Sequence, residues 1–225
     1  MCDQPRRVLA IDSALAACSV AVLVDGRLAA HRFEPMARGH AERLLPMVRE
    51  VAAEAGLGFA DFELFAVTVG PGHFTGLRVG LAAAQGLALA WGRPLAGVTT
   101  LEAVAAATPA GDRPLVVALE SKREDLYVQV FAGGRGLDGP VSLAPDRVAG
   151  WAWPPGELGL AGDGATRLQP LLAAAGLSAL KLGPDVPDAV VVARLAAGRY
   201  GTAAALPAEP LYLRPPDVTQ PKTPR

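Results

Sequence analysis

Lysine is scarce here. Three lysines stand beside 18 arginines against 22 acidic residues, for a formal net charge of −1. With neither sign in excess, composition alone carries no electrostatic footprint for a nucleic acid. Cysteine is scarcer still, and Cys2 and Cys18 are too few and too near the N-terminus to frame a disulfide scaffold. His31, His40 and His73 stand apart, with no H-x-x-x-H spacing and no cysteine pair beside them, which argues against a histidine-based metal site. No window of membrane-spanning length is free of charge. What the chain does have is apolar mass: 51% of its 225 residues are hydrophobic, ample for a real core in one compact unit or two small lobes.

The N-terminus imitates an export signal. Arg6 and Arg7 precede an apolar stretch at 8–24, and Leu15-Ala16-Ala17-Cys18 resembles a lipoprotein cleavage site. Asp12 interrupts that stretch after four residues, and an ionised carboxylate is disfavoured in the apolar region of a signal. The segment divides better into strands at 8–11, 19–23 and 28–32, and a cytoplasmic protein is expected. Leu44, Leu45, Val48, Val51, Ala52 and Ala55 then recur at helical spacing and stop at Gly56. A strand at 59–69, a helix at 76–91, a strand at 95–98 and a helix at 100–107 capped by Thr99 or Thr100 complete the first pattern.

After a Pro/Gly break at 108–112 a second α/β pattern begins. It comprises strands at 115–119, 125–131 and 158–161, helices at 168–175 and 190–198, and an extended proline-rich tail at 207–225. The fold expected is α/β with two lobes, 1–108 and 109–225.

The most informative stretch is 69–80, VGPGHFTGLRVG, where a strand ends at Gly70 and Gly72 and a helix begins behind Thr75. Clustered backbone N–H groups of this kind suit either an anion or very tight helix packing. Thr75 stands where G-x-G-x-x-G needs glycine, and the Gly-Lys of a Walker A loop is missing. Gly76, Gly80 and Ala84 instead put small residues every fourth position along the helix, a face that permits close approach of another helix. Arg78, in the first turn, either steadies the corner or meets a partner. His40 and Glu42 at the start of the earlier helix read as a cap and a dipole-matched carboxylate rather than an acid/base pair. Lys122 and Arg123 read as a solvated charged hairpin or as contacts to a partner.

Several segments together resemble one family. VLAIDS at 8–13, ACSVA at 17–21, HAERLLPM at 40–47, PGHFTGLRVG at 71–80, GLALA at 86–90, GVTTL at 97–101 and PLYLR at 210–214 are similar to TsaB proteins, with His73 where the family usually has serine. The resemblance covers most of the chain, with residues 133–205 matching only loosely. It implies an ASKHA fold, the duplicated lobe of actin, sugar kinases and Hsp70-type ATPases. It also implies a cytoplasmic role in making N6-threonylcarbamoyladenosine in tRNA. In that family TsaB is the non-catalytic paralogue that pairs with the metal-bearing transferase TsaD through its N-terminal helices, and the ATPase TsaE joins them.

The residues fit a degenerate member of such a fold. Asp12-Ser13 is followed by Ala14-Leu15-Ala16 where a glycine-bearing phosphate turn is expected, and the second lobe offers Glu120-Ser121-Lys122-Arg123 in place of Asp and glycine. Asp12, Ser13 and Glu120 are therefore candidates for a vestigial nucleotide site, with Asp12 alternatively a turn-forming carboxylate. Leu45, Val48, Ala52, Leu77, Leu81, Ala84 and Leu87 are the candidate partner-facing residues, and some of them must instead be lobe core. The expectation is a scaffolding subunit without catalytic residues, metal or cofactor of its own, with ATP or ADP bound only at the complex interface. It would be a homodimer when alone and reach tRNA only through the complex. The alternative is a stand-alone ASKHA-type hydrolase or glycoprotease-like enzyme.

Overall fold

A computed structural model describes residues 4–214. In the first lobe β1 (Arg7–Asp12), β2 (Ala17–Val24) and β3 (Arg27–Pro35) form an antiparallel meander. Helix α1 (His40–Glu54), β4 (Leu64–Gly70), α2 (Phe74–Trp91) and β5 (Leu95–Thr99) follow. β4 pairs parallel to β1 and β5 parallel to β4, giving the order β3-β2-β1-β4-β5. The strand begins at 64 rather than 59 because residues 59–61 form a 3-10 turn, tied by the Asp61 carboxylate accepting from the Gly58 amide at 2.8 Å.

After α3 (Thr100–Ala106) the plan repeats. β6 (Leu115–Glu120) pairs antiparallel with β7 (Leu126–Ala132), which carries the short β8 (Arg135–Gly136) and β9 (Val141–Leu143). β10 (Leu158–Ala161) lies parallel to β6, and α4 (Ala165–Ala174) leads to β11 (Ala179–Lys181), for the order β11-β10-β6-β7-β8. Two mixed sheets of matching topology, each with packed helices, are the duplicated α/β lobes of an ASKHA fold. β9 and β11, three residues each, are too short to carry a readable alternation.

The packing follows the period of two along each strand. Leu9 and Ile11 face α1 and α2, whereas Val8 and Ala10 face the last helix, α5 (Ala189–Arg199). In the second lobe Val116 and Ala118 face α4, while Leu115, Val117 and Leu119 face Leu101 and Val104 of α3. Both faces of each sheet are covered, which is why the central strands read as unbroken apolar runs. A division at residue 109 thus separates the sheets but not the helices: α5 follows the second sheet in the chain and packs on the first. The segment that follows returns there too. The Gly97 amide donates to Leu206 O at 2.9 Å, and the Leu211 amide to Val69 O at 2.7 Å. Cys2 and the tail beyond residue 214 lie outside the described residues.

Candidate functional site

The Gly70 corner is a packing device. Helix α2 starts at Phe74, two residues before the expected position, and His73 rather than Thr75 is its N-cap, with no side-chain cap bond. The start is set from the other side, where the His73 amide donates to Ala14 O at 2.7 Å. A Cβ on Gly72 would stand 2.5 Å from Ala14 O, and one on Gly76 would collide with the Ser13 carbonyl oxygen. Ser13 in turn donates its hydroxyl to Gly76 O at 2.8 Å, and His40 Nε2 bonds Leu15 O at 2.9 Å. The backbone of 13–15 therefore occupies the space an anion would need. His40 is the first residue of α1, not its cap, which is Gly39.

Of the three candidates for a vestigial nucleotide site, Asp12 ends and Ser13 follows the first sheet's β1, and Glu120 ends the second sheet's β6. Asp12 and Ser13 are fully buried. Asp12 Oδ1 accepts from Thr68 Oγ1 at 2.6 Å and from the Ala14 amide at 3.2 Å, an Asx-type turn, while its second oxygen has no partner among the described residues. Burial pushes this carboxyl up to about 7. Glu120 pairs with Arg167 at 3.1 Å, and its amide donates to Asp163 Oδ1 at 2.9 Å. Burial likewise raises Asp163 to about 6. The sequence reading passed over both Asp163 and Arg167; the pair of glycines around Asp163 was the available signal.

An open cleft of about 1080 Å³ lies beside these buried groups, between the lobes. Its walls are the starts of α1 and α2 on one side and the β6–β7 turn with Ser121, Lys122 and Arg123 on the other; Tyr212 and Arg214 enter from the returning segment. Gly72, Thr75, Gly76 and Arg78 of the corner face it as well. The Arg78 guanidinium lies 3.7 Å from the Phe74 ring centroid and donates from Nε to the Tyr212 hydroxyl at 3.0 Å, so it organises the cleft wall rather than the corner. Arg214 bonds Asp125 Oδ1 at 2.9 Å, joining the segment that leaves the first lobe to the second. His73 Nε2 is buried without a partner among the described residues. Burial, and then the charge of Lys122, lowers its pKa. Among the described residues no group of three or more His, Cys, Asp or Glu could hold a metal ion, and no helix is long and apolar enough to cross a membrane.

Comparison with known proteins places this geometry. A family model described as TsaD, tRNA N6-adenosine threonylcarbamoyltransferase, matches residues 34–186. YeaZ from Pseudomonas aeruginosa superposes with a TM-score of 0.77 at 30% identity, covering 92% of this chain and 99% of that one. The Escherichia coli tRNA threonylcarbamoyladenosine biosynthesis protein TsaB is 42% identical over 123 residues. The chain belongs to the TsaB/YeaZ family. An uncharacterised Mycobacterium tuberculosis protein, Rv3421c, is 35% identical over 94% of this chain and 93% of its own length. The match to E. coli TsaB covers 54% of this chain and spans about half of that relative, 53% of its length.

Within this family member, most of the expected partner-facing residues turn out to be core. Val48, Ala52, Leu77, Leu81 and Ala84 are buried together beneath the helices, packed on Ile11, Val20 and Val67. An apolar stripe reads the same in sequence whether it faces a sheet or another protein. Leu45 is exposed and Leu87 half-buried. The outward face of α2 is nonetheless short of charge: Ala82, Gly86, Leu89 and Ala90 are exposed there, with Leu89 at 85%.

Proposed function

We propose that this chain is the supporting subunit of a tRNA threonylcarbamoyladenosine synthesis complex, pairing with a TsaD-type transferase and contributing no catalytic residue itself. The observation that carries the reading is the outer face of α2, a helix of 18 residues whose one charged residue is Arg78. Leu89, Gly86, Ala90 and Trp91 present apolar and small surface that a partner helix can cover, and Leu45 of α1 is exposed as well. Alone, the chain would cover the same face by pairing with a second copy. In the complex TsaE joins, and ATP or ADP lies at the junction of subunits rather than in a site of this chain's own. A stand-alone hydrolase using Asp12 is disfavoured because that carboxyl has no path to substrate.

The test is co-purification of TsaD with Leu89→Arg and Gly86→Arg, both outward-facing and so compatible with folding. Loss of TsaD from both folded variants is expected, together with loss of the homodimer. Unchanged pairing would remove the α2 contact from the proposal. ATP turnover by the purified chain, abolished by Asp12→Ala, would favour the hydrolase instead.

A further inference from the structure

The cleft between the lobes concentrates positive charge that composition hides. Arg38, Arg78, Lys122, Arg123 and Arg214 reach it from four separate segments, against the single carboxylate of Glu42. Arg214 is matched by Asp125, but among the described residues neither Arg38 nor Lys122 has an ion pair. Two long helices also start on this wall, α1 behind Gly39 and α2 behind His73, and neither has a side-chain cap. Their first N–H groups add fixed positive potential to that of the side chains.

Lys122 is held in place at a cost. Its φ of 63° is in the left-handed region, which costs a non-glycine residue roughly 1 kcal/mol or more. The turn around it is over-determined. Ser121 Oγ donates to Asp125 O at 2.5 Å and accepts the Arg123 amide at 3.2 Å. Arg167 donates to the carbonyls of Arg123, Glu124 and Asp125 at 3.0, 3.0 and 2.9 Å. A turn clamped by five hydrogen bonds presents the lysine to the cleft.

Aromatic side chains stand among the cations. Phe74 is 57% exposed, and Tyr212 lies 6.4 Å from it, ring centroid to centroid. Interleaved rings and cations along an open groove suit a strand whose bases stack while its phosphates are neutralised. The volume, about 1080 Å³, lies at the upper end of the ~300–1,000 Å³ of ordinary small-ligand pockets.

We propose that this cleft is an RNA-binding groove, in which Lys122 and Arg38 neutralise backbone phosphates and Phe74 and Tyr212 stack on unpaired bases. The identity of the polymer rests on the tRNA-modification reading above, and it goes beyond the expectation that tRNA is reached only through the complex.

The probe is a fluorescein-labelled RNA hairpin with an unpaired loop, titrated by anisotropy against the full chain alone and against the chain paired with TsaD. Lys122→Asn with Arg38→Ala removes two cations, and asparagine accepts the left-handed turn readily. Affinity should fall roughly tenfold or more at low salt, and the slope of log K against log salt should shrink by about 1.4. Phe74→Ala should weaken binding by roughly 5- to 100-fold and leave the salt slope unchanged. Arg32→Ala, outside the cleft, should do neither. Hairpin binding identical in wild type and variants, in both formats, overturns the proposal. So does ATP binding lost in these variants while hairpin binding stays. The pairing with TsaD is read separately: wild-type chain that pairs with TsaD but binds no hairpin, alone or paired, sinks the groove and leaves the subunit role standing.

Discussion

The Ser13 hydroxyl donates to the Gly76 carbonyl at 2.8 Å, and the Ser13 carbonyl fills the space where a Gly76 Cβ would stand. One residue thus contacts α2 with both side chain and backbone, locking the turn after β1 to the helix that follows β4. Gly76→Ala should cost about 1–3 kcal/mol through overpacking. At this chain length that lowers Tm by about 2–4 °C per kcal/mol, measurable by circular dichroism. Gly86→Ala is the contrasting variant, because nothing lies within 4 Å of its Cβ. It should stabilise the chain slightly by helix propensity. Equal melting of both variants and wild type would mean the corner is not close-packed.

Asp12 makes stability depend on pH in an unusual sense. Its folded-state value of about 7 is above the ordinary 3.8, so the folded chain binds the extra proton between those two values. The contribution is complete below pH 3.8 and is lost as pH rises through 7, at most roughly 4 kcal/mol in all. Asp12→Asn keeps an oxygen for Thr68 and removes the ionisation. Fluorimetric melts from pH 4 to 8 should show a smaller decline in the variant than in wild type, the remainder coming from Asp163. Parallel curves would refute the assignment.

Cys18 should be inert while the chain is folded. Burial pushes its thiol up to about 12, and the side chain is fully enclosed between the sheet and α1. Iodoacetamide at pH 8 followed by peptide mass mapping should leave Cys18 unmodified in native protein and modify it fully in guanidinium. Native labelling at Cys18 would show that β2 opens far more readily than its burial implies.

Much of the fold was legible because local chemistry and global packing agree. Thr99, one of the two expected caps, accepts from the Glu102 amide at 3.1 Å, and the apolar run at 8–11 and the expected strand at 59–69, which begins at 64, became central strands. Thr75 misled for a stated reason: a hydroxyl before a helical run looks like a cap, but the Ala14 carbonyl fixes the start two residues earlier. Val48 and Ala84 were ambiguous in principle, since helical periodicity gives a face but not what lies against it. The cleft was invisible to spacing. Arg38, Arg78, Lys122 and Arg214 are scattered over nearly the whole chain, and topology alone gathers them.

The return of α5 to the first sheet has a consequence for how the chain acquires its structure. β1 begins at Arg7 and its main covering helix at Ala189, so most of one face of the first sheet, apart from the part that Ala103 of α3 reaches, stays bare until nearly the whole chain has emerged from the ribosome. Val8, Ala10, Leu64 and Ala66 are the residues left uncovered in that interval. Contacts of such sequence separation slow folding and expose sticky intermediates. The second lobe is thereby made an obligatory intermediate in maturing the first: it must be synthesised before the first sheet can close.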